Sequence, residues 1–235
     1  RNADSMYDGA LRSASKKAGG DGELLHAYNE SGKNICGSFM GKVMEKAIKM
    51  GESNACMRRI VAAPTAGSCG VLPAVLLSYE EDFCVAEDDM VKAMYVAAGI
   101  GKVIAENAFI AGAAGGCQAE IGSASAMAAG ALSFLQGGDS STIINAATLS
   151  LKNFLGLVCD PVAGLVEVPC IKRNSYGAVN AVTSAQLSLA GIKSAIAPDD
   201  VIDSMRRIGN QLPASLKETS CGGLATTESA QNYLP

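Results

Sequence analysis

This sequence has one histidine, no tryptophan, and only six tyrosines and five phenylalanines in 235 positions. A single histidine removes much of the usual acid–base and metal chemistry. His26 lies in the polar stretch GELLHAYNESG and reads as a surface residue. No Ser-His-Asp arrangement and no histidine zinc site can be built around it from spacing. No basic run appears and the formal net charge is −4, so nucleic-acid binding has little electrostatic support. Apolar stretches are broken by Gly, Ser, Asn or charge well short of a membrane span. Nucleotide fingerprints are missing: no strand pattern leads into G-x-G-x-x-G, and G-x-x-x-x-G-K-[ST] does not occur. No lysine sits in a glycine-loop setting that argues for pyridoxal phosphate, so that cofactor is not expected. No signal-peptide pattern opens the chain, and an N-terminus without methionine suggests a piece of a longer protein. A cytoplasmic location is the expectation.

What is abundant is alanine, glycine (26 residues) and cysteine (eight). Small side chains with few aromatics imply helices packed close together. Eight cysteines are an even number, but a long, alanine-rich chain without a signal pattern argues for reduced thiols over a disulfide framework. Most such thiols are small core residues.

Helical periodicity runs through most of the chain, and alternating strand patterns are almost absent. Helices are predicted over 32–52, from near Gly70, over 87–110, 117–136, 140–158 (with a Ser cap), 176–191 and 197–212. A short extended piece is predicted before PTAGSCG. The expected fold is all-α: one domain over 1–235, with central Ala/Gly-rich helices joined by Gly/Pro-rich loops. The loops PTAGSCG, AGAAGGCQ, CDPVAGLVEVPC and CGGLATT are candidates for a site, because free N–H groups at helix N-termini favour anions. They also suit tight turns between close-packed helices.

With histidine nearly excluded, cysteine carries the chemistry. Cys117 starts a helix directly after two glycines, which lowers a thiol's pKa. Cys159 and Cys170 bracket one proline-stiffened loop, too widely spaced for a zinc knuckle. Three such thiolates suit a [4Fe–4S] cluster with one iron open, though eight cysteines offer many triples.

The stretches PTAGSCGVLPAVL, GGCQAEIGSASAMAAG, LGLVCDPVAGLVEVPCIKRN and LKETSCGGLATT closely resemble the iron–sulfur-dependent L-serine dehydratases, in their α subunit or catalytic α domain. The resemblance runs from GGDGELLHAYNESG to GGLATT. It implies a [4Fe–4S] cluster on Cys117, Cys159 and Cys170. It implies amino-acid degradation, L-serine going to pyruvate and ammonia, with the open iron taking up the charge of the leaving hydroxyl. Arg173 is the candidate for the substrate carboxylate; holding a helix end or a carboxylate of the protein is its other reading. Thr65, Gly67 and Ser68 are candidate hydroxyl and N–H contacts, and Asn107 and Asn174 candidate amide contacts. Glu120 is a candidate supporting residue, with Lys172 a weaker candidate. Cys69 reads as a non-ligand. Cys221 reads as an incidental thiol, or one that reaches the site on a mobile segment. The ending ESAQNYLP has no cysteine, so the terminal cysteine that blocks the open iron in some single-chain relatives is not expected. The family's smaller α+β domain is absent from this sequence, so a β subunit or domain is the expected partner, and a homo-oligomer is plausible. Two other readings stay open: a related iron–sulfur lyase of the cysteine desulfidase type, and a non-catalytic cluster scaffold or electron carrier.

Overall fold

The computed structural model describes residues 2–233. Arg1, Leu234 and Pro235, which the expected 1–235 domain includes, lie outside the described residues. The fold is all-α, as expected. Eight longer helices carry it: α1 (Asp21–Glu30), α2 (Gly37–Ala55), α3 (Val71–Phe83), α4 (Glu87–Asn107), α5 (Ser123–Leu135), α6 (Ser140–Lys152), α7 (Cys170–Leu189) and α8 (Pro198–Gln211). Among the described residues no strand forms. The nearest approach is an isolated parallel bridge between Cys159 and Lys217. Among the described residues no helix is long and apolar enough to cross a membrane.

The centre is α5. Every residue from Ser123 to Ser133 is buried. A helix apolar all round has no solvent face to offer and must be surrounded; α3, α4, α6 and α7 all pack on it. Alanines at 124, 128 and 129 meet Val71, Val75, Ala178 and Ala181 in the main core, and Cys117 and Cys159 belong to the same cluster. Small residues set the separation of the helices. A Cβ at Gly51 of α2 would stand 3.2 Å from the Ile171 Cα of α7, so these backbones nearly touch.

Serines in α5 and α6 carry a buried polar network through this core. The Ser125 hydroxyl donates to the Gly177 carbonyl at 2.7 Å and accepts from Ser150 at 2.8 Å and from the Asn180 amide at 3.0 Å. It thereby links α5, α6 and α7.

Several helix boundaries differ from their sequence expectation, α2 beginning at Gly37 rather than 32 among them, and three differ for plain local reasons. α6 is capped by Asp139, whose carboxylate accepts from Thr142 N at 2.8 Å, and not by a serine. It stops at Lys152, well before 158, and a turn through Gly156 (φ +86°) follows. α7 starts at Cys170, six residues earlier than predicted, because Pro169 sits just before the first turn, where a missing N–H costs nothing. The polar stretch around His26 forms α1, which the sequence pattern did not single out. The extended piece predicted before PTAGSCG is irregular chain.

The serine network makes a contrast testable. Ser133 is fully buried and its hydroxyl has no hydrogen-bond partner. Ser133→Ala should leave stability unchanged or raise it. Ser125→Ala strands buried groups on two helices and should cost about 1–3 kcal/mol. Urea unfolding of both variants checks this, and equal effects would contradict it.

Candidate active site

The Gly/Pro-rich loops meet at one end of the core. They enclose a cavity of about 270 Å³ lined by Thr65, Gly67, Glu120, Cys159, Cys170 and Glu218, among others. Cys117, Cys159 and Cys170 are all buried. The sulfurs of Cys117 and Cys159 and a carboxylate oxygen of Glu120 lie within 4.8 Å of one another.

Each thiol is placed by its own local device. Cys117 follows Gly116, whose φ of +79° and crowding against the Leu157 carbonyl leave no room for a side chain. A π turn, Gln118–Gly122, comes next. Such turns are frequent at functional sites. The fully buried Gln118 donates to the carbonyls of Gly115 (2.9 Å) and Met205 (3.1 Å) and accepts from Gly156 N (2.9 Å). It therefore ties the Cys117 turn both to α8 and to the chain entering the Cys159 loop. Cys159 is held extended against the C-terminal segment: its N–H donates to the Leu216 carbonyl at 2.9 Å, and Glu218 N donates to its carbonyl at 2.8 Å. Cys170 is the first residue of α7, at the end where the helix dipole favours a negative sulfur.

Two residues of α7 lock these pieces together. Arg173 donates to the Val158 carbonyl at 2.9 Å and to Asp160 at 3.0 Å. The other Asp160 oxygen accepts from Leu224 N at 2.9 Å. Gly223 (φ +60°) permits that contact, since a Cβ there would stand 2.5 Å from the carboxylate. Asn174 is buried and fully engaged: its amide donates to the carbonyls of Gly67 (2.8 Å) and Cys170 (3.0 Å) and accepts from Gly70 N (2.8 Å).

The electrostatics follow from crowding negative groups out of water. Cys117 lies below the ordinary thiol range, first because Cys159 donates a hydrogen bond to it and then, against the cost of burial, because Arg173 is near. Cys159 is pushed up by giving that hydrogen bond and by burial. Cys170 is pushed up to about 12 by burial, with the charges of Cys117 and Glu120 adding to it. Glu120 is raised by burial and by Glu218, although Thr65 donates a hydrogen bond to its carboxylate. As free thiols these groups share little negative charge. A bound metal centre would draw off the remaining protons.

The donor set fits a thiolate-bound metal group. Among the described residues the cysteines are all free. Glycines keep space around the donors: a Cβ at Gly112 would lie 2.8 Å from the Cys159 sulfur, and one at Gly67 would lie 2.7 Å from a Glu120 oxygen.

The sequence candidates sort clearly by position. Thr65 lines the cavity and Ser68 lies behind it, fully buried, 3.0 Å from the Thr65 hydroxyl. Arg173 and Asn174 are spent on protein partners, so they position the site. Asn107 is exposed and bonds its own helix at the Val103 carbonyl, outside the cavity lining. Lys172 pairs with Asp21 on the surface. His26 pairs with Glu45 at 2.9 Å. Cys69 is buried beside the Met50 carbonyl, its thiol pushed up to about 12 by burial. Cys221 is exposed. Sequence reasoning missed Gln118, Asp160 and Glu218. For the first two the signal was a polar residue directly following a cysteine in a loop.

The pattern of the family described as Serine dehydratase alpha chain matches residues 3–225. The chain belongs to this family. It is 50% identical over 209 residues to the probable L-serine dehydratase, alpha chain, of Bacillus subtilis, covering 89% of this chain and 70% of the relative. It is 45% identical over 216 residues to the L-serine dehydratase, alpha chain, of Peptoniphilus asaccharolyticus, covering 92% and 74%. The L-serine dehydratase of Streptomyces coelicolor is 46% identical over 181 residues, which make up 76% of this chain but only 40% of that protein. In this member of the family the four motif loops are the walls of one cavity and the polar ties between those walls.

Two outcomes follow from these ties. Gln118→Leu removes three hydrogen bonds made by a fully buried side chain, so it should cost at least about 2 kcal/mol in urea unfolding; a smaller loss would contradict the clamp. Glu167 sits in the Cys159–Cys170 loop and accepts from Ser15 at 2.6 Å and Tyr233 at 2.8 Å. Burial pushes its carboxyl up, but the donors Ser15, Ser13 and Tyr233 outweigh that and hold it below the ordinary value of 4.5. Its stabilisation is therefore full above that ordinary value and is lost as pH falls through the lower folded one. The stability gap between wild type and Glu167→Gln should be constant near neutrality and shrink below about pH 4. A gap that widens on acidification would contradict the assignment.

Proposed function

We propose that this chain is the catalytic α part of an iron–sulfur L-serine dehydratase, converting L-serine to pyruvate and ammonia. The observation that carries the reading is the gathering of buried thiols and a half-buried carboxyl at one cavity, Cys159, Cys170 and Glu120 on its lining and Cys117 beside Cys159 and Glu120, within a chain whose relatives bear the L-serine dehydratase name. In this reading Cys117, Cys159 and Cys170 hold a [4Fe–4S] cluster. When bound, it supplies a Lewis-acidic iron for the departing hydroxyl.

The chain's own residues do the rest. Arg173 places a fixed positive charge beside the thiolates and lowers the cost of gathering them. Thr65 and the N–H groups of its loop orient the substrate against the cavity wall, with Ser68 holding Thr65. Glu120 holds a proton more tightly than an ordinary carboxylate, as suits a group that passes a proton to or from the reacting amino acid. Dehydration removes the α-proton and the hydroxyl to give aminoacrylate, which tautomerises to an imine and hydrolyses. The alpha-chain name of the relatives supports a separate β subunit as partner. Ala111 and Gly164 of the cavity lining are exposed, and a second protein covering them would exclude water.

The test is pyruvate formation from L-serine by the anaerobically reconstituted chain together with its β partner. Cysteine-to-serine substitution at 117, 159 or 170 should abolish activity and lose cluster iron. Glu120→Gln should lower kcat by about 100-fold or more, and Asn107→Ala should leave it unchanged. Full activity in any of the three cysteine variants would overturn the reading.

A further inference from the structure

The thiols do not stand as an even triad. Cys117 and Cys159 are close enough to share a hydrogen bond, and the carboxylate oxygens of Glu120 lie near both. Cys170 lies outside this tight group. Ion–sulfur distances of about 2.3 Å and ion–oxygen distances of about 2.0–2.2 Å place the ligands of one tetrahedral ion roughly 3.5–3.8 Å apart. The Cys117 sulfur lies 4.0 Å from Glu120 Oε2. That separation exceeds such a shell by only a few tenths of an ångström, which a small side-chain rotation closes.

The Glu120 carboxylate is divided between two tasks. Oε1 accepts from the Thr65 hydroxyl, which fixes its orientation. Oε2 is turned toward the Cys117 sulfur. In the metal-free state the Cys117 thiol donates to that oxygen, and a divalent ion taking the place of the thiol proton would make ligands of both groups. Glycine at 67 and at 112 preserves the space on either side, because a Cβ at either position would press on Glu120 or on the Cys159 sulfur. A hydroxyl holding one oxygen while the other faces a sulfur donor is the arrangement that supports a metal-binding carboxylate.

We infer that Cys117, Glu120 and Cys159 form a binding site for a single divalent transition ion, of the zinc or iron(II) class, when no cluster is present. Three protein donors leave the fourth position open. Glu120 is then a ligand in its own right, and Cys170 joins only when a larger group draws it in. This inference concerns the same cavity as the proposed reaction but does not require that reaction to be correct.

The experiment uses cobalt(II) as the probe, added to the reduced, metal-free chain without air. The sulfur-to-cobalt charge-transfer absorption counts thiolates, and the titration gives the affinity. One equivalent should bind, with an intensity for two thiolates. Cys170→Ser should bind with unchanged affinity and intensity. Cys117→Ser and Cys159→Ser should each lose about half the band per bound ion. Glu120→Gln should keep the band per bound ion and weaken binding at least about tenfold. Helical circular dichroism of each variant confirms that it is folded, and Glu120→Asp, which keeps the donor, should recover part of the affinity. Loss of a third of the band in Cys170→Ser, unchanged affinity in Glu120→Gln, or no binding by the wild type would each overturn the inference. If cobalt fails to bind while a cluster still assembles and supports pyruvate formation, only the single-ion site is wrong. If cobalt binds as described while reconstituted protein with its partner makes no pyruvate, the proposed reaction fails and the ion site stands.

Discussion

Thiols and carboxyls crowded into a buried cavity repel one another once they ionise, and the protein must hold them together without water. The structure meets this constraint through Arg173. Its guanidinium faces the thiols from the first turn of α7 and is braced by Asp160 and the Val158 carbonyl. The same Asp160 grips Leu224 N in the C-terminal segment. One ion pair thus connects a positive charge, the Cys159 loop and the segment that carries Glu218 into the cavity. Breaking a buried pair by removing one partner commonly costs 3–5 kcal/mol, so this tie is costly to lose as well as central.

The all-small core serves the same end. With α5 surrounded on every side, the loops at its N-terminal end are anchored on a rigid support. The π turn that precedes α5 carries Glu120, and Gln118 fastens that turn to α8 and to the chain leading into Cys159. Asn174 does the equivalent for the Thr65 loop. Three side chains, Gln118, Arg173 and Asn174, therefore set the relative positions of loops far apart in sequence, and each lies within four residues of a cavity cysteine. Ligand and brace share one short motif because both must move as a unit.

Much of this was legible in the sequence. With a single histidine in the chain, cysteine is the residue left to carry the chemistry, and helical periodicity gives the fold class. Long matching motifs pointed to Cys117, Cys159 and Cys170, and the fold buries all three. Boundaries were less legible: a proline next to Cys170 reads as loop, although it marks the point where α7 begins. Residue roles were legible only in part. An arginine and two asparagines are equally able to meet substrate or protein, and only the partners at 2.8–3.0 Å show that Arg173 and Asn174 brace the site. Asn107 was a plausible amide contact by type, but its place at the exposed end of α4 takes it elsewhere. Glu218 could not be found from pattern, because only the pairing of its backbone with Cys159 brings it to the cavity.

The central claim is that three thiolates hold a cluster that keeps one distinct iron open to L-serine. Iron-57 Mössbauer spectroscopy of the reconstituted protein, before and after L-serine is added, tests it most directly. The account predicts that one iron in four shifts to a signature of higher coordination when serine is present, with the other three unchanged. Four equivalent irons that ignore serine would contradict it.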